Sequence, residues 1–301
     1  MQKRFIIAAL IAVVAWPLPV LADTANVTIY GAADVSFDMA NTGSVRVNKI
    51  SSSSSKLGFK GDEDLGDGLK AIWQIETEVD FDGTDSKGNP TAYPLGNRNT
   101  FAGLKSDNWG SLILGRHDTP YKTSDRRLDL FYDHVADNRA LMAGGKGKSS
   151  ADSMGFAKRA TDTAIYNSPI MNGFKAAIGY VAGAETATVS GQSKGSIWSL
   201  AGTYDAAPFF GSLAYQKNDY GNVGTGVVAA ANGASPNTNE RAWKLGGGYK
   251  VDQFAVNAVY EKTNDNFGGP ATTNAFCRTA AAGTSCYGHN AVYPRLSIRE
   301  I

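Results

Sequence analysis

WKLGGGYKVDQFAVNAVYEK, from Trp243 to Lys262, is the stretch whose reading decides the fold. Trp243, Leu245, Gly247 and Tyr249 share one parity, and Lys244, Gly246 and Gly248 share the other. Lys250–Gln253 reads as a turn, after which Phe254, Val256, Ala258 and Tyr260 alternate with Asn257 and Glu261. A period of two is the mark of a strand whose faces meet different surroundings. Aromatic residues stand at the ends of each apolar face.

The same phrase recurs on both sides of this stretch. Phe209, Gly211, Leu213 and Tyr215 oppose Ser212, Ala214 and Gln216, and Trp198, Leu200, Gly202 and Tyr204 oppose Ser199, Ala201 and Thr203. Phe174, Ala176, Ile178 and Tyr180 oppose Lys175, Ala177 and Gly179. Leu69 to Phe81 alternates against Lys70, Gln74, Glu76, Glu78 and Asp80, and Leu57 and Phe59 oppose Lys56 and Lys60. Val27 to Met39 opens the series. A soluble sandwich would bury these apolar faces in a core. Aromatics at both ends, with small and charged residues opposite, predict instead an all-β, antiparallel up-and-down transmembrane barrel around water.

Connection lengths alternate too. The short turns read as Gly61–Gly68, Ser106–Gly110, Ser168–Gly173, Asp205–Pro208 and Lys250–Gln253. The longer links read as Ala40–Lys49, Asp82–Asn97, Thr119–Arg159, Ala182–Gly195, Lys217–Glu240 and Lys262–Asn290. Short periplasmic turns and long external loops are the outer-membrane pattern. Thr119–Arg159 is the longest link, and loops of that length usually carry function.

The chain opens with Lys3 and Arg4, an apolar run from Phe5 to Trp16, and Val20-Leu21-Ala22. This is the pattern of a secretory signal peptide cleaved after Ala22, too short to span a bilayer. No other apolar run approaches the roughly 20 residues of a transmembrane helix, which excludes a helical membrane protein. Without Lys3 and Arg4, 27 Lys+Arg face 28 Asp+Glu, so nothing points to nucleic acid. Cys277 and Cys286 are the only cysteines. In an exported chain they are a candidate disulfide, with two free thiols as the alternative; further ligands for a metal are lacking.

VTIYGAADVS (Val27–Ser36), KLGFKGDEDLGDGLKAIWQIE (Lys56–Glu76), WGSLILGRHDTPY (Trp109–Tyr121) and YNSPIMNGFKAAIGY (Tyr166–Tyr180) together resemble the trimeric general porins of Gram-negative bacteria, in their beta-proteobacterial branch. The likeness runs from Asp23 to about Tyr293. It implies a barrel of sixteen strands, a homotrimer in the outer membrane, contact with outer-membrane lipid and with the barrel insertion machinery, and passage of ions and small hydrophilic solutes. It implies no cofactor. It also implies that the third external loop, here Thr119–Arg159, folds into the pore.

That loop carries Asp125, Arg126, Arg127, Asp129, Asp133, Asp137 and Arg139. The family places basic residues on the wall facing it, and Lys56, Lys60, Arg98 and Arg159 fall at such places. Basic wall against charged loop would set a local field in the lumen. The bland alternative is a set of solvated charges with no special role. Lys56 follows Ser55 where the family often has arginine, which keeps the charge and loses the planar fork.

The far end departs from the family. Asn26–Asn264 holds eleven complete strands and His289–Tyr293 begins a twelfth. PRLSIREI (Pro294–Ile301) then breaks the alternation, and the last residue is Ile301 where the family ends in an aromatic. The expected organisation is a signal peptide at 1–22, an incomplete barrel domain at 23–293 and a non-family tail at 294–301. A frameshift or internal stop would account for it; a smaller twelve-stranded barrel is the rival.

Two tempting motifs fail on spacing. Asp62, Glu63, Asp64 and Asp67 suggest a calcium loop, but Trp73 stands where the twelfth-position glutamate belongs. Gly147-Lys148-Ser149 lacks the leading glycine of a phosphate loop, Met142 taking its place. His117, His134 and His289 lie in no nucleophile motif, so a barrel enzyme is disfavoured. The function hypotheses are therefore a diffusion channel, a truncated product without function, and a surface adhesin or antigen acting through its loops. A bilayer recording separates the first from the others.

Overall fold

The structure, a computed structural model, describes residues 26–41, 46–81, 83, 94–129, 131–133, 137–138, 142, 156–157, 159–182, 195–219, 239–264, 266–267, 286–287 and 290–298. Residues 1–22, where the signal peptide is expected, lie outside them, as do Arg139, His134, His289 and Cys277. Of Cys286 only the backbone is described, so the expected disulfide is left open.

The described residues are mostly strand. In order come β1 (Val27–Ala32), β2 (Val35–Asn41), β3 (Arg46–Ser52), β4 (Lys56–Gly66), β5 (Leu69–Glu78), β6 (Thr100–Ser106) and β7 (Gly110–Asp118). A helical turn α1 (Pro120–Thr123) and a 3-10 turn (Arg126–Leu128) follow. Then come β8 (Arg159–Asn167), β9 (Phe174–Ala182), β10 (Ser196–Ala206), β11 (Phe209–Asp219), β12 (Asn239–Val251) and β13 (Phe254–Asn264). The short β14 (Asn266–Phe267) and β15 (Cys286–Tyr287) precede β16 (Asn290–Ile298).

Twelve of these form one sheet in the order β1-β4-β5-β6-β7-β8-β9-β10-β11-β12-β13-β16, every pairing antiparallel. Strands adjacent in this order follow one another in the chain; the hairpins β2–β3 and β14–β15 are inserted in two of the links. Among the described residues β1 pairs with β4 alone and β16 with β13 alone.

The register confirms the parity read from the sequence. Leu213, Leu245 and Tyr260 lie in one row across β11, β12 and β13, and all three are exposed. Their neighbours on the opposite face, Ser212, Lys244 and Glu261, are buried. The sheet is thus inverted relative to a water-soluble one. Among the described residues most large apolar side chains of its outward face are exposed, and its polar face is covered from within. Outward aromatics pair across strands at two levels. Phe174–Tyr204 at 4.6 Å and Phe209–Tyr249 at 5.3 Å stand near the short turns. Tyr180–Trp198 at 4.8 Å and Tyr215–Trp243 at 4.4 Å stand near the long links. Six residues separate the levels, about 20 Å of strand, which sets them toward opposite ends of the outward apolar face.

Three expectations about the sheet need correction. The Gly61–Gly68 turn is shorter than expected: β4 runs to Gly66, and only Asp67 and Gly68 turn, at φ of 52° and 72°. Asp62 is therefore a strand residue, ion-paired to Lys70 across the hairpin at 2.8 Å. Ala40–Lys49 is largely strand as well. It belongs to the hairpin β2–β3, which leaves the main sheet where Ser55 Oγ bonds both the amide and the carbonyl of Asp34. Finally, the twelfth strand continues to Ile298 with Pro294 opposite Ala258. Proline is tolerated there because β16 is an edge among the described strands, and an edge strand has a side with no ladder to lose.

Candidate functional site

The polar face is crossed by the chain that leaves β7. Thr119 caps the turn, Pro120 sets its first φ, and α1 carries Tyr121 across to the opposite wall. The Tyr121 amide donates to Ser199 Oγ on β10 at 2.9 Å, and its hydroxyl donates to Glu261 on β13 at 2.5 Å. Lys244 on β12, directly opposite Glu261, reaches Asp125 at 3.1 Å and lies 4.3 Å from the centre of the Tyr121 ring. Asn257 on β13 donates to the Leu128 carbonyl at 3.4 Å.

Two buried apolar clusters seal this seam. One joins Tyr121 and Phe156 to Ala214 and Ala242; the other joins Leu128 and Met142 to Val259. Burying Leu128 there stabilises the loop by about 2 kcal/mol. Small wall residues make the approach possible. A Cβ on Gly246 would stand 2.5 Å from Leu128 Cδ1, and one on Gly179 would stand 2.8 Å from Pro120 Cδ.

At the root of the loop, Asp118 is fully buried among three cations. Lys122 lies at 2.7 Å, Arg126 at 3.1 Å and Arg159 at 3.2 Å, and Asn99 donates at 3.2 Å. The interior of the loop is tied by its own carboxylates. Asp129 accepts the Phe131 and Asn138 amides, Asp137 accepts the Asp133 amide, and Asp125 accepts from the Asn138 side chain. Burial pushes the Asp129 carboxyl up from its ordinary range. Burial, and then the Glu261 charge, pushes the Tyr121 phenol well above its ordinary range.

The site residues expected from sequence are therefore divided. Asp125, Asp129 and Asp137 are buried and bond Lys244 or the loop itself. Arg126 and Arg127 have side chains 39% and 56% exposed; Arg126 lies over the Tyr132 ring, and Arg127 over that of Phe210 while pairing with Asp205. Asp133 is half-buried, and its charge acts on Arg98. On the wall, Arg98 is buried against Glu76 at 2.9 Å, whose other oxygen accepts from Tyr30. Arg159 belongs to the Asp118 cluster. Lys60 is exposed and 5.5 Å over the Tyr30 ring, and Lys56 is half-buried on the same strand.

Tyr121, Lys244, Glu261, Asn257, Ser199 and Asp118 were not among the residues singled out in the sequence. The inward parity of Lys244 and Glu261 was visible. Their partner, more than a hundred positions away, was not.

A twelve-stranded meander with its apolar face outward, two aromatic girdles and a charged loop seated on its polar face defines an outer-membrane β-barrel protein. The chain belongs to the Gram-negative porin family, whose family model matches residues 8–293. It is an outer-membrane channel protein. It is 27% identical to the major outer membrane protein P.IB of Neisseria gonorrhoeae, over 96% of this chain and 81% of that protein. It is 28% identical to P.IA of Neisseria meningitidis serogroup A, over 83% of this chain and 66% of that protein. In fold it is similar to the anion-selective porin from Comamonas acidovorans, with a TM-score of 0.63, 23% identity and coverage of 80% of this chain and 68% of that one. Salmonella typhi OmpF gives 0.55 and 19%, with coverage of 80% and 66%.

Proposed function

We propose that this chain conducts ions and small hydrophilic solutes passively through a lumen narrowed by the loop from Thr119, with a preference for anions, as one subunit of a homotrimer. The observation that carries this is the seating of the loop on β10, β12 and β13, through Ser199, Lys244, Asn257 and Glu261. A loop lying across the polar face takes cross-section from whatever water-filled space that face encloses. Its carboxylates Asp125, Asp129 and Asp137 are buried, so Arg126 and Arg127 are the exposed charges of its first turns. With Lys56 and Lys60 on the wall they are the cations that would draw anions, although Arg126 and Arg127 also face Asp118 and Asp205. The Comamonas acidovorans porin of similar fold is anion-selective, which agrees with that sign. Transport by diffusion needs no catalytic group and no cofactor. Outer-membrane lipid around the girdles and the insertion machinery are the further partners.

The test is a planar bilayer recording of the full protein. Stepwise ohmic conductance is expected, with a reversal potential under a salt gradient that indicates anions. Ohmic steps with a cation-selective potential would remove the anion preference and leave the channel. Absence of steps from well-folded protein would remove both.

A further inference from the structure

The four cations expected on the wall differ in what they face. Lys56 stands directly opposite Glu78 on β5. Arg98 is held by Glu76, and Arg159 by Asp118. Lys60 is directly opposite Thr28 on β1 and Gln74 on β5, both neutral. Asp62, the next carboxylate on its face of β4, is taken by Lys70 at 2.8 Å. Lys60 is exposed, and among the described residues it makes no ion pair.

Glu76 is nevertheless within its reach. Diagonal neighbours in an antiparallel pair lie about 7–8 Å apart, close enough for long side chains. Glu76, two residues beyond Gln74, is diagonal to Lys60. Tyr30 stands between them. Tyr30, Gly58 and Glu76 are directly opposite one another across β1, β4 and β5. Gly58 leaves the middle of that row without a side chain, and the Tyr30 ring lies in the gap: a Cβ on Gly58 would stand 2.3 Å from Tyr30 Cζ. The phenol donates to Glu76 Oε2 at 2.9 Å, while Arg98 donates to Oε1 at 2.9 Å. Both carboxylate oxygens are thus taken. The Lys60 ammonium lies instead over the ring, 5.5 Å from its centre, within the range of cation–π attraction.

We propose that Tyr30 is a positioning residue for selectivity: its ring keeps Lys60 off Glu76, so that the ammonium stays on the lumen side of the wall, where a passing anion meets it. The inference rests on the channel reading and deepens it, assigning part of the anion preference to a ring that carries no charge. Without the ring the ammonium gains a carboxylate and withdraws toward the wall. The summed charge of Lys60, Arg98 and Glu76 is the same in either arrangement. What changes is how near the free cation stands to the path of the ions.

The test is the reversal potential of the full protein in planar bilayers, under a salt gradient at low ionic strength. Lys60→Gln should lower the anion-to-cation permeability ratio about threefold, the order expected for one partly screened charge. Tyr30→Ala should lower it about twofold, since the charge is moved and not removed. Tyr30→Leu, which offers no ring face, should match it, and serves where the alanine variant does not fold. Tyr30→Phe, which keeps the ring, should rescue the ratio. With Lys60→Gln already present, Tyr30→Ala should change nothing further, whereas a mere widening of the lumen would act in both backgrounds. The proposal is overturned by an unchanged ratio in Lys60→Gln or in the alanine and leucine variants. It is overturned equally by a fall in Tyr30→Phe as large as in Tyr30→Ala, or by a fall that persists without Lys60. A wild-type protein that conducts with a preference for cations removes the anion preference, yet the same shifts still decide the role of Tyr30. Absent steps from folded protein count against the channel and Tyr30 together.

Discussion

Lys244 and Asp125 meet where neither side chain is more than 4% exposed. Each has given up water, and each depends on the other for compensation. Removing one partner of such a pair costs about 3 kcal/mol, because the remaining charge stays buried. Lys244→Ala should therefore lower the temperature at which the compact form is lost on a heated gel. It should also raise open-channel current noise, since the loop loses one anchor to β12. A variant with unchanged noise and unchanged heat resistance would show that the pair contributes little. Arg126 and Arg127 are more exposed, at the lumen side of the same turns, each with a carboxylate partner in Asp118 and Asp205. At about 8 Å in water one charge acts on a passing ion with about 0.5 kcal/mol. Reversing both, as Arg126→Glu with Arg127→Glu, moves the energy of each passing ion by about 2 kcal/mol before screening, in opposite senses for anion and cation. A fall of at least about tenfold in the anion-to-cation permeability ratio is expected at low salt, where screening is least. A reversal potential that does not move would assign the selectivity elsewhere. Sequence alone could place these arginines in the loop. It could not distinguish them from Asp125, Asp129 and Asp137, because charge is written in the sequence and burial is not.

Strands were the legible element. Wherever the two faces differ, as in Trp243–Tyr249 and Phe254–Tyr260, parity fixed both the strand and its outward side, and the register agrees residue by residue. Reading failed where parity carries no contrast. Gly61–Gly66 is polar on both parities and reads as a turn, yet pairing with β5 holds it as strand. The Ala40–Lys49 link failed similarly, since its polar, Gly-containing middle hides the hairpin on either side. The loop was legible as long and charged, but its docking was not, because Gly246 and Gly248 look like strand glycines until Leu128 is seen against them. That seat gives a prediction for the loop as a unit. Gly246→Val would force Leu128 from a place where it is 1% exposed, and the first turns would lift off β12. Single-channel conductance should change by a factor of about two, whereas Gly247→Val, with open space around its Cβ position, should leave it unchanged. Equal conductances for the two variants would mean that the loop is held without this contact. The outward aromatic pairs are a separate element-level device. A double-mutant cycle on Tyr215 and Trp243 should return a coupling of about 1 kcal/mol.

At the scale of the molecule the structure answers one constraint. In a bilayer every backbone polar group in the apolar layer must be paired within the protein, and a meander of antiparallel strands does this for all but the outer sides of β1 and β16 among the described strands. The same constraint explains why the buried apolar clusters lie under the loop, inside the polar face, while Leu213, Leu245 and Val256 remain outside. An assembly of three such subunits places three separate lumens side by side, each narrowed by its own copy of the Thr119 loop. Closure of one lumen then leaves the other two unaffected, because the groups that hold each loop, Ser199, Lys244, Asn257 and Glu261, come from the same chain. Under high applied voltage a single inserted particle should therefore close in three steps of equal size, with the conductance left after each step close to two thirds, one third and none of the initial value. Closure in one step would fit a single lumen. Three unequal steps would mean that the loops act on one another, and would contradict an anchoring confined to each chain.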